Sequence, residues 1–397
     1  GVGFMLGSGG SALVAKILGE QKKEQADRYF TMMIWVSVIV GIFLTVIGLV
    51  IMKPVSLLLG ATEGMMPYCV LYGSITMGFT VSFMLQYAFQ SFLIAAEKPN
   101  LGLLATVAAG VANMVLDALF IAVFKWGVAG AALATGLSQC VGAVIPLIYF
   151  LRPNTSLLKL VKTKLELKPI LKACANGSSE MVVQISAGIS TFLFNLYMLQ
   201  YIGKTGVAAV TIVMYSQFLL ISMLLGFSAG ISPLISFNYG QQNHMKLNKI
   251  VKYSYIMVGI FAVVSFAAAQ ALAIPITTFF AHGSPDLYQI TIYGFRIFSF
   301  SFLICGFNIL TSGLFTALSN GLISALVSSF RTLIFFVIGM VTLPLLFGVT
   351  GIWLVVPIAE VATLIASIVF LYVFKNKYGY SKQKSQLFQE QQLQEAE

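Results

Sequence analysis

Three oxygen-bearing side chains lie inside apolar stretches at a spacing that suits a cation. Asn113 and Asp117 are four residues apart in the run 101–124, and residues four apart share one face of an α-helix. Thr135 lies in the next apolar run, 126–151, and on an antiparallel helix it reaches the same depth. A carboxylate, an amide oxygen and a hydroxyl make an oxygen-only site of the kind that hard cations prefer. The alternative is that Asn113 and Asp117 only form hydrogen bonds between packed helices.

Other polar side chains in apolar runs also need an explanation, because an ionisable group at bilayer depth costs several kcal/mol. Glu180 has Gln184 one turn further on. It either holds a proton or a cationic substrate in a cavity, or lies near the cytoplasmic interface, where it is solvated or interacts favourably with the dipole at the start of its own helix. Glu360 and Arg331 can form a buried pair, for which we favour a structural role. Asn308 is a cavity candidate whose alternative is an interhelical hydrogen bond worth about 0.6 kcal/mol.

The elements that carry these residues belong to a membrane protein. The chain has 397 residues, of which 58% are apolar and only 9% charged, and its mean hydropathy is +0.93, whereas soluble domains carry roughly 25% charged residues. This composition excludes an ordinary soluble enzyme and, despite a net charge of +10, a nucleic-acid binder. The four cysteines follow no metal-binding or paired spacing, which predicts buried thiols.

Apolar runs of about 20 residues suffice to cross a hydrocarbon core of ~30 Å. The sequence has eleven, near 2–19, 29–52, 67–95, 101–124, 126–151, 177–202, 206–239, 251–275, 287–317, 322–346 and 349–374. We therefore predict an all-α polytopic membrane protein. It has transmembrane lobes at 1–151 and 177–375, a basic linker at 152–176 and a disordered polar tail at 376–397. Basic residues fall mostly on the linker's side, which predicts that the linker and the C-terminus are cytoplasmic.

The chain repeats itself at an offset of 221 residues over about 140 positions without gaps. The matching pairs include Gly19 and Gly240, Gln21 and Gln242, Pro54 and Pro275, Tyr72 and Tyr293, Ser91 and Ser312, Gly127 and Gly348, and Gly130 and Gly351. An even number of helices between the copies gives a parallel repeat, which is typical of transporters. Asp117 aligns with Ile338, and Glu360 with Gln139. Neither acid has an acidic counterpart in the other half of the repeat. A functional role explains such unmatched acids better than the repeated architecture does.

The second half contains a helix, beginning near Gly177, for which the first half has no counterpart, because Gly1 aligns with Ser222. We therefore expect roughly 45 further residues and one more helix before Gly1. The complete protein would then have twelve helices in two six-helix lobes, and the sequence as it stands is expected to be inactive.

The order of several short motifs resembles the multidrug and toxin extrusion (MATE) family, in its branch of bacterial multidrug exporters. The motifs are Gly19-Glu20-Gln21, Gly240-Gln241-Gln242, Glu97-Lys98-Pro99, the runs Gly110 to Asp117 and Gly127 to Thr135, Arg331, Gly351-Ile352-Trp353 and Pro357-Ile358-Ala359-Glu360. The resemblance covers essentially the whole chain except the tail. It implies two lobes around a cavity that opens alternately to either side. It also implies that Asn113, Asp117 and Thr135 match a first-lobe cation site, which an acid on the missing helix completes.

The resemblance implies an antiporter that exports amphipathic organic cations in exchange for Na⁺ or H⁺, by alternating access, in the bacterial cytoplasmic membrane. We expect no cofactor beyond the coupling ion, no resident metal and no nucleic acid, and a monomer whose partners are the lipid bilayer and small organic cations. A flippase for a lipid-linked saccharide, in the same superfamily of folds, is the alternative. Its anionic substrate calls for several basic residues, whereas acids outnumber arginines at depth. An intramembrane enzyme requires clustered His, Asp or Cys motifs, and the sequence has none.

Overall fold

The computed structural model describes residues 1–58, 61–281 and 283–380, and in this part of the chain every long element is a helix. Eleven segments follow one another: α1 (Val2–Gly19), α2 (Lys23–Leu58), α3 (Met66–Gly78 and Thr80–Ala95), α4 (Pro99–Val123), α5 (Gly127–Leu151), α6 (Leu167–Tyr201), α7 (Lys204–Gly240), α8 (His244–Phe280), α9 (Pro285–Ala317), α10 (Gly321–Phe347) and α11 (Val349–Tyr378). Ten are long and apolar enough to cross a membrane, and α3 is a pair bent by 52°. The predicted all-α polytopic membrane class is confirmed.

Several helices extend beyond the predicted apolar runs. Helix α6 begins at Leu167 rather than near residue 177, because its first turns are amphipathic. Lys168 and Lys172 are exposed there while Ala173 is buried, so the lysines lower the local hydropathy without breaking the helix. The predicted linker 152–176 is therefore non-helical only as far as residue 166. Helix α11 likewise continues to Tyr378, inside the predicted tail, of which residues 381–397 lie outside the described part.

The helices form two compact units, each with its own apolar core. The first unit comprises Val2–Cys174 and the second begins at Ala175. In the first unit Phe30 packs edge-on against Phe92 at 5.1 Å between ring centroids, and both rings are fully buried. In the second unit Trp353 is the largest fully buried side chain. Many large apolar side chains on the spans are exposed, which is the surface that a hydrocarbon environment requires.

The linker is attached to the first unit by hydrogen bonds to α2. Asp27 Oδ1 accepts from the Lys159 amide at 2.9 Å, and Thr31 Oγ1 accepts from the Val161 amide at 3.0 Å. Asp27 is only 7% exposed, and a carboxylate that accepts from a backbone N–H forms a strong, charge-assisted bond. Asp27 lies between the predicted apolar runs 2–19 and 29–52, so the sequence analysis did not single it out.

The structure repeats the turns that the sequence repeat predicts. Gln21 has φ 60° and Gln242 has φ 57°, a left-handed conformation that is uncommon outside glycine. In both turns the amide of the next residue donates to the carbonyl five residues back, at 3.2 and 3.0 Å. The offset of 221 therefore holds at this helix end.

The repeat nevertheless slips by one residue further along. The turn with positive φ at Glu97 recurs at Ser319, an offset of 222, while Gly127 recurs at Gly348, again at 221. The ungapped alignment thus needs one extra residue in the second half before Ser319 and one in the first half after Glu97. The change from 221 to 222 falls between Gln21 and Glu97, the stretch that contains the predicted match of Ser91 with Ser312.

Two glycines at offset 221 let the last two helices of each unit approach closely. A Cβ at Gly130 would lie 3.1 Å from the Phe120 carbonyl oxygen, and a Cβ at Gly351 would overlap the Leu343 carbonyl. At both positions the obstacle is backbone, which cannot rotate away as a flexible side chain can. A larger residue therefore has to separate α4 from α5, or α10 from α11.

We expect Gly351→Ala to destabilise the protein by about 1–3 kcal/mol, because the α10 backbone must move to admit the methyl group. Gly226→Ala is the matched control, since a Cβ at Gly226 meets nothing within 4 Å. Thermal unfolding of the two variants in detergent measures the difference. Equal melting temperatures for both variants and the unsubstituted protein would contradict the close packing at Gly351.

Candidate functional site

The predicted first-lobe cation site lies where α4 changes its hydrogen-bonding pattern. The α-helical part of α4 ends at Asp117, and Ala118–Val123 forms a π-helical segment. Short π-helical segments inside α-helices occur frequently at functional sites. Asp117 therefore sits at the boundary between two helix geometries, where local rearrangement is easier than in a regular helix.

Asn113 and Asp117 share one face of α4, and both have unused hydrogen-bonding capacity. Asp117 is half-buried, and no group in the described ranges donates a hydrogen bond to its carboxylate. Asn113 Nδ2 is buried without an acceptor among the same residues. A buried polar atom left unpaired costs about 1–3 kcal/mol. The pair therefore presents a carboxylate without a donor and, one turn away, an amide nitrogen without an acceptor, among the described residues.

Thr135 lies half-buried on α5, the helix that packs against α4 at Gly130. Its carbonyl accepts a hydrogen bond from Ser138 Oγ at 2.7 Å. Within the described structure, no hydrogen bond joins Thr135 to either predicted partner on α4. The structure thus brings the three predicted cation ligands onto neighbouring helices and leaves them unconnected.

Two further amides of the first unit were missed by the sequence analysis. Gln86 Oε1 on α3 and Gln139 Oε1 on α5 are buried and have no donor in the described part of the chain. The Gln86 side chain packs on Gly142, and its Oε1 lies 2.7 Å from where a Cβ at Gly142 would be. Gly142 is one helical turn from Gln139 on α5. The sequence did hold a signal for Gln139, because the repeat aligns it with Glu360.

In the second unit, Arg331 and Glu360 meet in a buried ion pair. Arg331 Nε donates to Glu360 Oε1 at 2.8 Å, and Asn308 Nδ2 donates to Oε2 at 2.8 Å. Ser367 Oγ donates in turn to Asn308 Oδ1 at 2.9 Å. Glu360 is only 2% exposed, and both of its carboxylate oxygens are hydrogen-bonded. The network therefore compensates a charge that would otherwise be very costly to bury.

Glu180 completes what we name the charged cluster: Glu180, Arg331 and Glu360. Glu180 is half-buried on α6 and interacts electrostatically with the Arg331 guanidinium. Gln184, predicted beside it, is exposed on α6 and takes no part in the network. Arg331 itself belongs to a π-helical segment, Phe330–Ile334. Since α10 is the repeat equivalent of α4, embedded charges occur at π-helical segments of equivalent helices in both units.

Comparison with known sequences places this architecture in a family. The family model described as MatE matches residues 1–119 and 181–341, which include most of the spans of both units. The chain belongs to the MatE family. The family predicted from the motif order is confirmed, and the chain is a multi-pass membrane transporter of that family.

Curated relatives of this MatE protein are bacterial. It is 23% identical over 388 residues to the multidrug export protein MepA of Staphylococcus haemolyticus, with 96% of this chain and 83% of the relative covered. Identity to MepA of Staphylococcus saprophyticus is also 23%, over 396 residues, covering 96% and 84% of the two chains.

Solved structures share the MatE fold. An outward-facing multidrug resistance MATE family transporter of the MOP superfamily superposes with a TM-score of 0.89 at 22% identity, covering 96% of this chain and 85% of the other. A MOP superfamily transporter from Pyrococcus furiosus, described as having a binding pocket of reverse polarity that suggests a different function, gives a TM-score of 0.87 at 22% identity, with 95% and 84% covered. At this identity the similarity establishes the fold of the chain.

The buried ion pair of this MatE protein makes a stability prediction. We expect Arg331→Met to destabilise the protein by about 3–5 kcal/mol, because it leaves the Glu360 carboxylate buried without its cation. The double variant Arg331→Met with Glu360→Met should recover most of that loss, since it removes both charges. Thermal unfolding in detergent measures both variants. A double variant no more stable than the single one would contradict pairing as the source of the effect.

Proposed function

We propose that this MatE transporter exports amphipathic organic cations in exchange for Na⁺ or H⁺ by alternating access. The names of the MepA relatives, which describe multidrug export, support the direction and the class of cargo. The proposed coupling to an ion gradient rests on the surroundings of the Asp117 carboxylate. It lies in a span, half-buried, with no hydrogen bond from the residues described in the structure.

Coupling requires a group whose affinity for the ion differs between two conformations. An isolated carboxylate within the membrane is costly, so a bound Na⁺ or proton stabilises whichever conformation buries it. Asp117 adjoins the π-helical segment Ala118–Val123, where a change of helix register can alter its surroundings. In this proposal the Asn113 side chain on the same face supplies its amide oxygen to Na⁺, and Thr135 on the adjacent helix supplies a second oxygen.

Glu180 is the group we assign to the organic cation or to a second proton. Its carboxylate has no hydrogen bond from any described residue, and Arg331 is the cation near it. Glu360 engages Arg331 through Nε, which restrains the guanidinium from neutralising Glu180 completely. A mobile cationic substrate can then compete for Glu180.

We further propose that the protein acts as a monomer in the bacterial cytoplasmic membrane with the linker in the cytoplasm. The support is the basic character of the linker and the start of α6, where five lysines are exposed: Lys159, Lys162, Lys164, Lys168 and Lys172. An excess of lysine and arginine marks the cytoplasmic side of membrane proteins.

Replacing Asp117 by Asn tests the coupling site. We expect Asp117→Asn to lower ion-gradient-driven ethidium efflux by at least about tenfold, equivalent to losing roughly 1.4 kcal/mol of differential binding. The measurement is efflux from an efflux-deficient bacterium that expresses the full-length protein. Glu63→Gln, at an exposed acid between α2 and α3, is the matched control and should leave efflux unchanged.

The outcomes separate the candidates. Unchanged efflux in Asp117→Asn together with loss in Glu180→Gln would move the coupling site to the second unit. Absence of efflux from a well-expressed, correctly inserted protein would contradict the exporter and turn attention to lipid-linked saccharide transport.

A further inference from the structure

A row of buried hydroxyls runs through the second unit toward the charged cluster. We name it the hydroxyl chain; its members, in spatial order, are Ser179, Thr316, Ser324, Ser312 and Ser328. Successive side-chain oxygens are 3.4, 2.7, 2.9 and 2.8 Å apart, and none of the five residues is more than 8% exposed. Either oxygen of each contact can be the donor. The row can therefore reverse its direction by rotating its hydroxyl groups.

One end of the hydroxyl chain lies close to the turn between α9 and α10. Thr316 immediately precedes Ala317, the last residue of α9, and Ser324 lies in the first turn of α10. If each helix crosses once, this turn is on the same side of the membrane as the linker. Asn176, which is 4% exposed, donates its Nδ2 to the Thr316 carbonyl at 2.8 Å.

The Asn176 side chain also indicates that a ligand binds at this end of the hydroxyl chain. Its Oδ1 is buried and accepts no hydrogen bond from the described residues, while its Nδ2 donates to the Thr316 carbonyl. An unpaired acceptor in such a position costs about 1–3 kcal/mol. A hydrogen-bond donor that enters from the linker side, such as water or hydronium, offsets that cost next to Thr316.

The other end of the hydroxyl chain lies one helical turn from the groups that hold Glu360. Ser328 precedes Arg331 by three residues on α10, and Ser312 follows Asn308 by four on α9. Positions three or four apart are neighbours on a helix face, with Cβ atoms about 5–6 Å apart. The other ionisable groups packed around this end are Glu180 on α6, Tyr255 on α8 and Cys305 on α9.

We propose that the hydroxyl chain conducts protons between the linker side of the membrane and the Glu360 carboxylate. The inference rests on the proposed antiport function and makes H⁺ the coupling ion of the second unit. Glu360 is 2% exposed, so a proton reaches it only through buried polar groups. Along the row each hydroxyl gives its proton to the next oxygen and takes one from the previous oxygen, and a bridging water carries the proton between Ser328 and the Glu360 carboxylate, about one helical turn away. The net change is one proton moved between water and Glu360, with only O–H bonds broken and formed.

Arg331 links the protonation of Glu360 to substrate binding at Glu180. When Glu360 is protonated, its ion pair with Arg331 is lost, and the guanidinium is drawn to Glu180. When the proton leaves along the hydroxyl chain, Glu360 recaptures Arg331 and Glu180 becomes available to an organic cation. Proton release on the linker side and cation uptake at Glu180 are thereby linked.

The test compares two buried serines in the full-length protein reconstituted in liposomes. Ser324→Ala interrupts the hydroxyl chain. Ser236→Ala is the matched control, because Ser236 is equally buried and its hydroxyl donates to the Ser232 and Ala317 carbonyls, at 3.0 and 2.9 Å. With an imposed pH gradient and ethidium as the probe, a pH-sensitive dye reports the coupled proton flux. We expect Ser324→Ala to lower this flux at least about tenfold, with ethidium affinity unchanged and Ser236→Ala unaffected.

A double-mutant cycle identifies the proton acceptor. In a Glu360→Gln background, which removes the acceptor, Ser324→Ala should produce no additional loss, because both changes block one path. Melting temperatures in detergent establish that each variant is folded. If Ser324→Ala unfolds, Ser312→Ala interrupts the row at the next oxygen.

Three results would overturn this proposal while leaving the proposed function in place. The first is equal proton flux in Ser324→Ala and Ser236→Ala, and the second is full additivity of Ser324→Ala with Glu360→Gln. The third is export by the unsubstituted protein that follows a Na⁺ gradient and ignores pH, which leaves the exporter function standing. Export driven by neither ion would overturn the proposed function itself, and this inference with it.

Discussion

A carboxylate placed in hydrocarbon has to be matched by a cation or by hydrogen-bond donors, and the two units meet this constraint differently. The second unit matches Glu360 internally, with Arg331 on one oxygen and Asn308 on the other. The first unit leaves Asp117 without a donor among the described residues, next to an unpaired Asn113 amide. An unmatched charge has free energy to gain from an ion that comes and goes, whereas a matched one changes partner only when a proton takes the place of its cation.

Both arrangements depend on irregular backbone in equivalent helices. Helix α4 changes to a π-helical segment directly after Asp117, and α10 changes at the segment that contains Arg331. A π-helical turn accommodates an additional residue and loosens the regular hydrogen-bond ladder. Each copy therefore has an irregular segment in the same helix, at positions that the offset of 221 does not bring together, and the charges placed there have opposite sign.

The sequence predicts what depends on hydropathy and repetition, and little of what depends on contact. The eleven spans, the family and the turns at Gln21 and Gln242 follow from local pattern. Asp27 was missed because its partner, the Lys159 amide, is distant in sequence. Gln86 was missed because an unpaired buried amide is recognised only once its neighbours are known, whereas for Gln139 the repeat alignment with Glu360 was the one available signal. The beginning of α6 was placed too late, because a mean hydropathy cannot distinguish an amphipathic turn from a loop.

The one-residue slip between the two copies has a consequence for sequence comparison. Successive residues of an α-helix are turned by about 100° around its axis, so an alignment that is one position out moves a side chain to a different face. The stretch between Glu97 and Gly127, which contains Asp117 and the π-helical segment, is where the offset returns from 222 to 221. Ligand assignments carried between homologues along this helix should be anchored separately on the glutamate-containing turn before it and the glycine after it. A single gap placed on the wrong side of Ala118 would assign Asp117 to a different face of the helix while the alignment still looked sound.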